Sequence, residues 1–284
     1  MARPARVELK ANAQEARPPG SLPRRSAWFF RGFRKYARRY VAKNFHALRV
    51  DRDGLPTDPP PGPAIVVMSH ASWWDPMIGL ILSESFGPSR AHYAPMDEEG
   101  LKQYPILERV GIFGVELETA RGGIAFLRRS SAVLTRPESM LWVTPQGRFV
   151  DVRERPIRFK QGIGRLLHRT SHASVVPLAV EYPFWNDRRP EVLARFGAWI
   201  SIEERVSLSA KAWTKRLETS LGETQDRLAE SSLGRDPGRF QTVVRGSSGV
   251  GGVYDLGRRL RSAFRGESFT SEHLVEQPSH GPRT

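Results

Sequence analysis

A repeated spacing of histidine and aspartate in this sequence suggests chemistry on a hydroxyl group. Three histidines are each followed five positions later by an aspartate, in the pairs His46 and Asp51, His70 and Asp75, and His92 and Asp97. An imidazole, whose unperturbed pKa is about 6.5, can take the proton of a hydroxyl near neutral pH. A carboxylate bonded to the other ring nitrogen fixes the tautomer and stabilises the imidazolium. Such a pair therefore predicts a general base with its orienting acid.

The surroundings of His70 favour this histidine over the other two. The apolar run Ala64–Met68 predicts a buried strand that ends just before it, and ligands of α/β proteins bind at the carboxyl ends of such strands. A predicted helix that starts at Trp73 holds Asp75 in position. The other two pairs have simpler interpretations, one in a proline-rich loop and one with its aspartate as a helix cap. For His70 the alternative is a loop histidine beside a helix-capping aspartate.

Three further short blocks lie, in order, after a predicted strand, at a predicted helix start and inside a predicted strand. They are Thr144-Pro145-Gln146-Gly147-Arg148, Phe159-Lys160-Gln161-Gly162 and Val176-Pro177-Leu178. The glycine of the first block lets the backbone approach a ligand closely, and its arginine can bind a phosphate through two hydrogen bonds. Gln146, Gly147, Arg148 and Lys160 are therefore candidate substrate-binding residues.

These blocks and their order resemble those of the glycerophospholipid acyltransferases, the superfamily of lysophosphatidate and glycerol-3-phosphate acyltransferases. The segment from His70 to Asp75 resembles its Asn-His-x-x-x-x-Asp block, with serine in place of asparagine. The segment that begins at Thr144 resembles its Phe-Pro-Glu-Gly-Thr-Arg block, and the segment that begins at Val176 matches its Val-Pro-x-x-Ile/Val block. The Gly-x-x-Phe-Ile-x-Arg block is degraded, because Leu117 occupies its arginine position.

The resemblance implies an O-acyltransferase with an acyl thioester, acyl-CoA or acyl-ACP, as co-substrate and with no metal and no other cofactor. His70 is then the general base and Asp75 its orienting carboxylate. The implied acceptor is a hydroxyl of a lysophospholipid or a glycerol phosphate. In the family, a glutamate and two arginines of the second and third blocks are thought to hold the acceptor's phosphate. Here Gln146 replaces the glutamate, which leaves Arg148, Arg121 and Lys160 as candidate phosphate contacts.

Two other readings of the sequence stay open. The change to Gln146 removes a negative charge and keeps a group that both donates and accepts hydrogen bonds, so a sugar or glycolipid hydroxyl is the alternative acceptor. The second alternative is a non-catalytic basic protein that binds lipid or nucleic acid on the same scaffold. The presence of both His70 and Asp75 argues against that second alternative.

Short apolar runs that alternate with helix-like segments predict an α/β fold with a mixed, largely parallel sheet flanked by helices. An N-terminal amphipathic helix precedes this core and a helical extension follows it. The predicted order along the chain is a disordered basic arm (1–25), an amphipathic membrane-associating helix (26–50), the α/β acyltransferase core (51–202), a helical extension (203–245) and a flexible tail (246–284).

The segment 26–50 predicts contact with a membrane surface. At 100° per residue one face carries Phe29, Phe33, Tyr36 and Tyr40, and the opposite face carries Arg31, Arg34, Lys35 and Arg38. Aromatic residues beside arginines are typical of interfacial helices on anionic lipid. The alternative is that the aromatic stripe docks on the core, and both can hold together.

Composition narrows the function classes further. The net charge of +14 favours an anionic partner, and we expect a membrane surface rather than nucleic acid because no nucleic-acid-binding motif is found. The absence of cysteine excludes disulfides, cysteine-ligated zinc and a thiol nucleophile. No apolar run is long enough to span a bilayer, and no signal-peptide core follows the basic N-terminus. The expected location is therefore cytoplasmic and peripheral, on the inner face of the membrane.

Overall fold

A computed structural model describes residues 22–203 and 208–246. The α-helices of these residues are α1 (Ala27–Asn44), α2 (Asp75–Leu82), α3 (Glu98–Gln103), α4 (Ala120–Leu134), α5 (Gly162–His168) and α6 (Ala210–Leu233). The strands are β1 (Ala47–Asp51), β2 (Ala64–Met68), β3 (Ala91–Asp97), β4 (Ile112–Val115), β5 (Ser139–Val143), β6 (Ala173–Glu181), β7 (Val192–Phe196), β8 (Ile200–Ile202) and β9 (Phe240–Arg245). Short 3₁₀ helices span Arg52–Gly54, Ser83–Phe86, Pro105–Val110 and Pro237–Arg239.

All nine strands belong to one mixed, mostly parallel sheet. Its order is β4-β3-β5-β2-β6-β7-β1-β9, with β8 paired to β6 beside this path. The first five strands in this order, β4, β3, β5, β2 and β6, are mutually parallel, and β1 is parallel to β7. Antiparallel pairs join β6 to β7, β6 to β8 and β1 to β9. The prediction of an α/β fold with a mixed, largely parallel sheet and flanking helices is confirmed.

The central strands are apolar along their whole length because helices cover both faces of the sheet. In β2, Val66 and Met68 face a cluster that includes residues of α1 and α2. Ile65 and Val67 face the opposite cluster, which includes residues of α5 and α6. Since parallel strands run in one direction, the carboxyl ends of β2, β3, β4, β5 and β6 meet at one edge, and the loops that follow them share that edge.

The predicted end of the N-terminal helix at residue 50 is wrong. Helix α1 stops at Asn44, and Ala47–Asp51 form the fully buried strand β1 between β7 and β9. The charged side chains of Arg49 and Asp51 interrupt the apolar pattern of β1, so the sequence did not indicate a buried strand here. Arg49 is buried, and its Nε lies 3.1 Å from Oε2 of Glu191. A long-range ion pair therefore makes a charged residue compatible with the interior.

Helix α1 both packs on the core and keeps a charged face in solvent. Phe30, Ala37 and Val41 are buried, and stacked aromatic rings run along the helix toward Trp74 in the order Phe29, Phe33, Tyr36, Tyr40. The docking alternative is thus realised for much of the aromatic stripe.

The exposed cations of α1 differ in part from the predicted set. Arg34 and Arg38 each reach a carboxylate oxygen of Glu84, at 3.5 and 2.8 Å. A row of exposed cations, one helical turn apart, consists of Arg31, Lys35, Arg39 and Lys43. Trp28 and Tyr36 are exposed beside this row, with 76 % and 51 % of their surface accessible.

Other predicted boundaries need correction. The strand predicted over 192–202 is two strands, β7 and β8, and the predicted extension over 203–245 ends in strand β9 after helix α6. Residues 22–25 of the predicted arm are placed, since Leu22 packs on the core and Arg25 lies over the Phe30 ring. Residues 1–21 of that arm and residues 247–284 of the predicted tail lie outside the described residues. Among the helices of the described ranges, none is long and apolar enough to cross a bilayer.

Candidate active site

One edge of the sheet gathers most of the candidate residues of the sequence. His70 lies two residues beyond the end of β2, and Gln146 lies three residues beyond the end of the neighbouring strand β5. On the other side of β2, the loop is tied to β6 by two hydrogen bonds. The Ser69 N–H donates to the Leu178 carbonyl at 3.0 Å, and the Ser69 hydroxyl accepts from the Val180 N–H at 3.0 Å. His70 is therefore held by a chain segment bonded to a neighbouring strand.

The structure brings His70 and Asp75 together as a hydrogen-bonded pair. Nδ1 of His70 lies 2.9 Å from Oδ2 of Asp75, the first residue of α2. The carboxyl side chain is 1 % exposed, whereas the imidazole is 20 % exposed. An ionised carboxylate can only accept, so Nδ1 carries the proton and Nε2 keeps its lone pair for a ligand.

Two further donors fix the carboxyl group of Asp75. The N–H of Ser72 donates to Oδ2 at 2.9 Å, and the hydroxyl of Tyr182 donates to Oδ1. Burial, followed by the negative charge of Asp75, raises the pKa of Tyr182 well above its usual range, so this hydroxyl remains a donor. Hydrogen bonds therefore fix both carboxyl oxygens of Asp75, and the bond from Oδ2 to Nδ1 fixes the orientation of the imidazole.

The sequence block that begins at Thr144 contacts His70 directly. Oε1 of Gln146 accepts from the backbone N–H of His70 at 3.1 Å. The backbone carbonyl of His70 accepts from the Val150 N–H at 2.8 Å, and the Phe149 ring lies 4.5 Å from the imidazole ring, between centroids. Gln146 is buried and Phe149 is 56 % exposed. The loop after β5 therefore closes over one side of His70.

Gly147 is required by the shape of this loop. Its φ of +66° belongs to the left-handed region that glycine adopts without strain. A Cβ here would also lie 2.5 Å from a side-chain carbon of Lys160. The Lys160 side chain lies against Gly147, and its ammonium group bonds to Glu118 at the neighbouring end of β4.

The candidate cations are close to the site but differ in their surroundings. A guanidinium nitrogen of Arg148 lies 2.7 Å from a carboxyl oxygen of Glu154, and the arginine side chain is 62 % exposed. Arg121 lies in the first turn of α4 with an exposed side chain. The structure therefore brings Gln146, Gly147 and Lys160 together and leaves Arg148 and Arg121 on the surface of the same edge.

The other two histidine–aspartate pairs do not form in this part of the chain, all of which is described. His46 lies 3.4 Å from Asp187 and 3.7 Å from Glu191. His92 is buried in β3, where its Nδ1 accepts from the indole N–H of Trp142 at 3.1 Å. Burial, and then nearby arginines, lower the pKa of His92 to about 3, so it stays neutral near pH 7.

An open groove of about 420 Å³ borders the histidine–aspartate pair. Ser72 of the loop between the two residues lines it, and its other walls include aromatic side chains from the position before α2 and from the segments that follow α1 and β6. These aromatic residues are Phe45, Trp74, Tyr182 and Phe184. The groove is suited to an apolar ligand segment next to the histidine.

Sequence reasoning missed Tyr182 and Phe149. Tyr182 lies two residues after Val180 in the segment that begins at Val176, and strand alternation places it on the same face as Val180 and Leu178, toward α2. The alternation of side chains along β6 could therefore have identified Tyr182 from the sequence. The contact of Phe149 with His70 depends on the path of the loop after β5, which the sequence pattern does not define. Among the described residues, no group of three or more His, Cys, Asp or Glu side chains is arranged to hold a metal.

The described residues form an α/β protein with a mixed, mostly parallel sheet and a hydrogen-bonded histidine–aspartate pair beyond the end of β2. A sequence model of the Acyltransferase family matches residues 48–181, from β1 to the end of β6. The matched family is that of the glycerophospholipid acyltransferases, and the match supports acyl transfer as the general activity of residues 48–181. The resemblance of the sequence blocks is thereby confirmed. A search of curated protein sequences finds no match.

Proposed function

We propose that this acyltransferase moves a fatty acyl group from an acyl thioester, on CoA or on acyl carrier protein, to a hydroxyl of a membrane lipid. The observation that carries the proposal is the bond of 2.9 Å between Nδ1 of His70 and the buried carboxylate of Asp75. It leaves Nε2 free at the exposed side of the imidazole. No covalent acyl-enzyme is required, because the acceptor itself supplies the nucleophile.

The proposed reaction balances with these two side chains. Nε2 of His70 takes the hydroxyl proton as the acceptor oxygen attacks the thioester carbon, and Asp75 stabilises the imidazolium. The tetrahedral intermediate then breaks its carbon–sulfur bond. The departing thiolate takes the proton from Nε2, which gives the ester and a free thiol.

Backbone amides of the loop after β5 are the candidates for stabilising the oxyanion. The N–H of Gly147 bonds to the Thr144 carbonyl and the N–H of Val150 bonds to that of His70. The amides of Arg148 and Phe149 lie between these two anchored positions, beside the imidazole. Preorganised donors of this kind typically contribute 10²–10³-fold to the rate.

For the acceptor we propose first a lysophospholipid or a glycerol phosphate, with its phosphate held by Arg148, Arg121 or Lys160. Each of these cations lies at the carboxyl edge of the sheet that carries His70. The second candidate is a sugar or glycolipid hydroxyl. It is favoured by the ion pairs that Arg148 and Lys160 make with Glu154 and Glu118, because these carboxylates already balance two of the three cations.

We propose that the reaction takes place on the inner face of an anionic membrane. The exposed cation row of α1 and the neighbouring Trp28 and Tyr36 support this location. Arginine and lysine attract anionic headgroups, and tryptophan and tyrosine favour the interface. The groove lined by Phe45 and Phe184 opens beside the same histidine and is our candidate for the acyl chain.

The direct test measures thiol release from acyl-CoA, and then from acyl-ACP, in the presence of a total lipid extract. The esterified product is identified by its mass. His70→Ala is expected to lower the rate by at least about 10²-fold, the usual contribution of a positioned general base. His168→Ala, the same change at an exposed histidine, is the matched control. Equal rates for wild type and His70→Ala would contradict the proposed mechanism.

A further inference from the structure

The outer face of helix α4 carries exposed cations that no carboxylate balances. Arg121, Ile124 and Arg128 are exposed, and at 100° per residue they lie within about 60° of one another around the helix axis. Ile124 is 52 % exposed. Neither arginine has an ion pair or a side-chain hydrogen bond within the described residues, and α4 contains no Asp or Glu. These three side chains form the α4 face.

The fold itself does not use the two arginines of the α4 face. The nearby carboxylate of Glu118 bonds to Lys160 instead. Arg129, the third arginine of the helix, differs from them because it donates to the backbone carbonyl of Gly114 in β4. Arg121 lies in the first turn of α4, where the helix dipole disfavours a positive charge. Folding alone therefore gives no reason for a cation at that position.

The α4 face and the cation row of α1 lie on opposite sides of the sheet. Helix α1 packs on the cluster that Val66 of β2 faces. Val133 and Leu134 of α4 belong to the other cluster, which Val67 of β2 faces. A flat bilayer in contact with the outer side of α1 therefore does not reach the outer side of α4. The anionic partner that suits the α4 face comes from the aqueous side.

The α4 face begins close to the active-site edge of the sheet. Helix α4 follows β4, and the carboxyl end of β4 lies at the same edge as His70. Strand β4 is three places from β2 in the sheet, a separation of about 14 Å at the usual strand spacing. Glu118, just before α4, bonds to Lys160, whose side chain lies against Gly147 in the loop that closes over His70. The extended phosphopantetheine arm of a carrier protein can span this distance.

We propose that the α4 face docks an acidic acyl carrier protein, which delivers the acyl thioester to His70. Arg121 and Arg128 are seven residues apart, about 10 Å along the helix, so they suit carboxylates two turns apart on a helix of the carrier. Ile124 supplies an apolar contact between them. The phosphates of CoA instead need a concave site with convergent donors, which the outer face of one helix does not form. The inference rests on the proposed acyl transfer and deepens it, because it names the donor.

The test measures docking without turnover. Fluorescence anisotropy follows a labelled holo-acyl carrier protein, which bears no acyl group, as the full chain is added. Arg128 is the residue to change, because it is not a candidate contact of the acceptor's phosphate. We expect Arg128→Glu to weaken carrier binding at least about 10-fold, since the reversed charge meets the acidic partner with a like charge. Exposed positions tolerate such changes, so the variant should fold.

The matched control makes the same charge change on the opposite side of the sheet. Arg39→Glu, in the exposed row of α1, should leave carrier binding unchanged and weaken binding to vesicles of phosphatidylglycerol and phosphatidylcholine. Arg128→Glu should leave vesicle binding unchanged. Equal loss of carrier binding in both variants would overturn the inference, because total charge would then explain it. Loss of vesicle binding in Arg128→Glu would assign the α4 face to lipid instead.

An uncharged variant separates direct contact from a long-range effect of charge. Ile124→Ser should weaken carrier binding, whereas Leu233→Ser, at an exposed apolar residue of α6, should not. No carrier binding by the wild type, or weaker binding of free CoA in Arg128→Glu, would overturn the inference. The two proposals fail separately. Carrier binding without any acyl transfer contradicts the proposed function, whereas transfer from acyl-ACP with an unchanged donor KM in Arg128→Glu contradicts the docking surface.

Discussion

The carboxyl group of Asp75 makes more hydrogen bonds than its position at the start of α2 requires. Its two carboxyl oxygens contact an imidazole, a backbone N–H and a buried phenol. Each of these contacts is charge-assisted, a kind of hydrogen bond that is about twice as strong as one between neutral groups. The pair with His70 is therefore preorganised, and the imidazole needs no rearrangement when a substrate arrives.

Tyr182 is a positioning residue, and its removal gives the first prediction. Tyr182→Phe deletes one donor to Asp75 and should lower kcat about 10-fold or more, as expected for a hydrogen bond to a charged group worth about 1.5–3 kcal/mol. The acceptor KM should stay unchanged, because the deleted hydroxyl bonds to the carboxylate of Asp75, whereas the ring that lines the groove is kept. Steady-state kinetics measure both constants, and Tyr104→Phe on the surface is the matched control. A change in KM alone would show that Tyr182 acts on binding instead.

His92 predicts a specific dependence of stability on pH. Burial is the main reason why the pKa of His92 is lowered from its usual value of about 6.5 to about 3. Between these values the unfolded chain binds a proton that the folded chain does not, so the free energy of unfolding falls as the pH drops, by about 1.4 kcal/mol per pH unit. His92→Gln removes this titration.

Urea unfolding at pH 7, 6, 5 and 4 tests the prediction. His92→Gln should be less stable at pH 7, since the stack of the imidazole on Phe30 is lost, but it should lose less stability on acidification than wild type. His168→Gln, at an exposed histidine, serves as the control. Parallel pH profiles of wild type and His92→Gln would show that His92 does not titrate on unfolding.

At the scale of elements, local pattern was sufficient where the sequence is strongly periodic or uniformly apolar. Strand β2 was predicted with its observed bounds, because its five residues are uniformly apolar. Strand β1 could not be predicted, since its Arg49 is buried by an ion pair to Glu191, a residue far away in the sequence. The same distinction applies to the residues of the candidate site. His70 and Asp75 could be chosen from local context, whereas the bond from Tyr182 could be known only from the packing of β6 against α2.

The position of β1 also changes how helix α1 can be studied. A deletion through residue 50 removes a buried strand of the sheet together with the helix, and loss of membrane binding would then report unfolding. Even the helix alone contributes Phe30, Ala37 and Val41 to the core. Charge substitutions on its exposed row are the appropriate change, because exposed positions tolerate them.

For the whole molecule, the net charge of +14 predicts binding to anionic membranes through a particular surface. Replacing Arg31, Lys35 and Arg39 by glutamine should weaken binding to vesicles that contain anionic lipid, since each cation near such a surface contributes about 1 kcal/mol. Three such changes correspond to a loss on the order of 10²-fold in the partition constant, which vesicle sedimentation measures. Added salt should weaken binding of the wild type, because exposed charges are screened over about 10 Å at 0.1 M.

The matched control removes the same charge elsewhere. Lys211, Lys215 and Arg227 are exposed on α6, and their replacement by glutamine lowers the net charge by the same three units. We expect this control to bind vesicles as the wild type does. If both triple variants bind equally weakly, total charge and not helix α1 determines membrane binding. Equal binding of the wild type to neutral and anionic vesicles would remove the electrostatic explanation.

The place of β1 in the sheet has a consequence for how the protein is made. This strand is synthesised early, but its two neighbours are β7, which begins at Val192, and β9, which begins at Phe240. At translation speeds of about 5–20 residues per second, roughly 190 further residues keep the second neighbour away for about 10–40 s. Both hydrogen-bonding edges of β1 are bare on the nascent chain until β7 is made, and the edge that pairs with β9 stays bare for the whole interval, so it can pair with other chains. Its charged Arg49 and Asp51 discourage such pairing, so the side chains that form ion pairs in the finished sheet also protect the strand at the ribosome before those pairs exist.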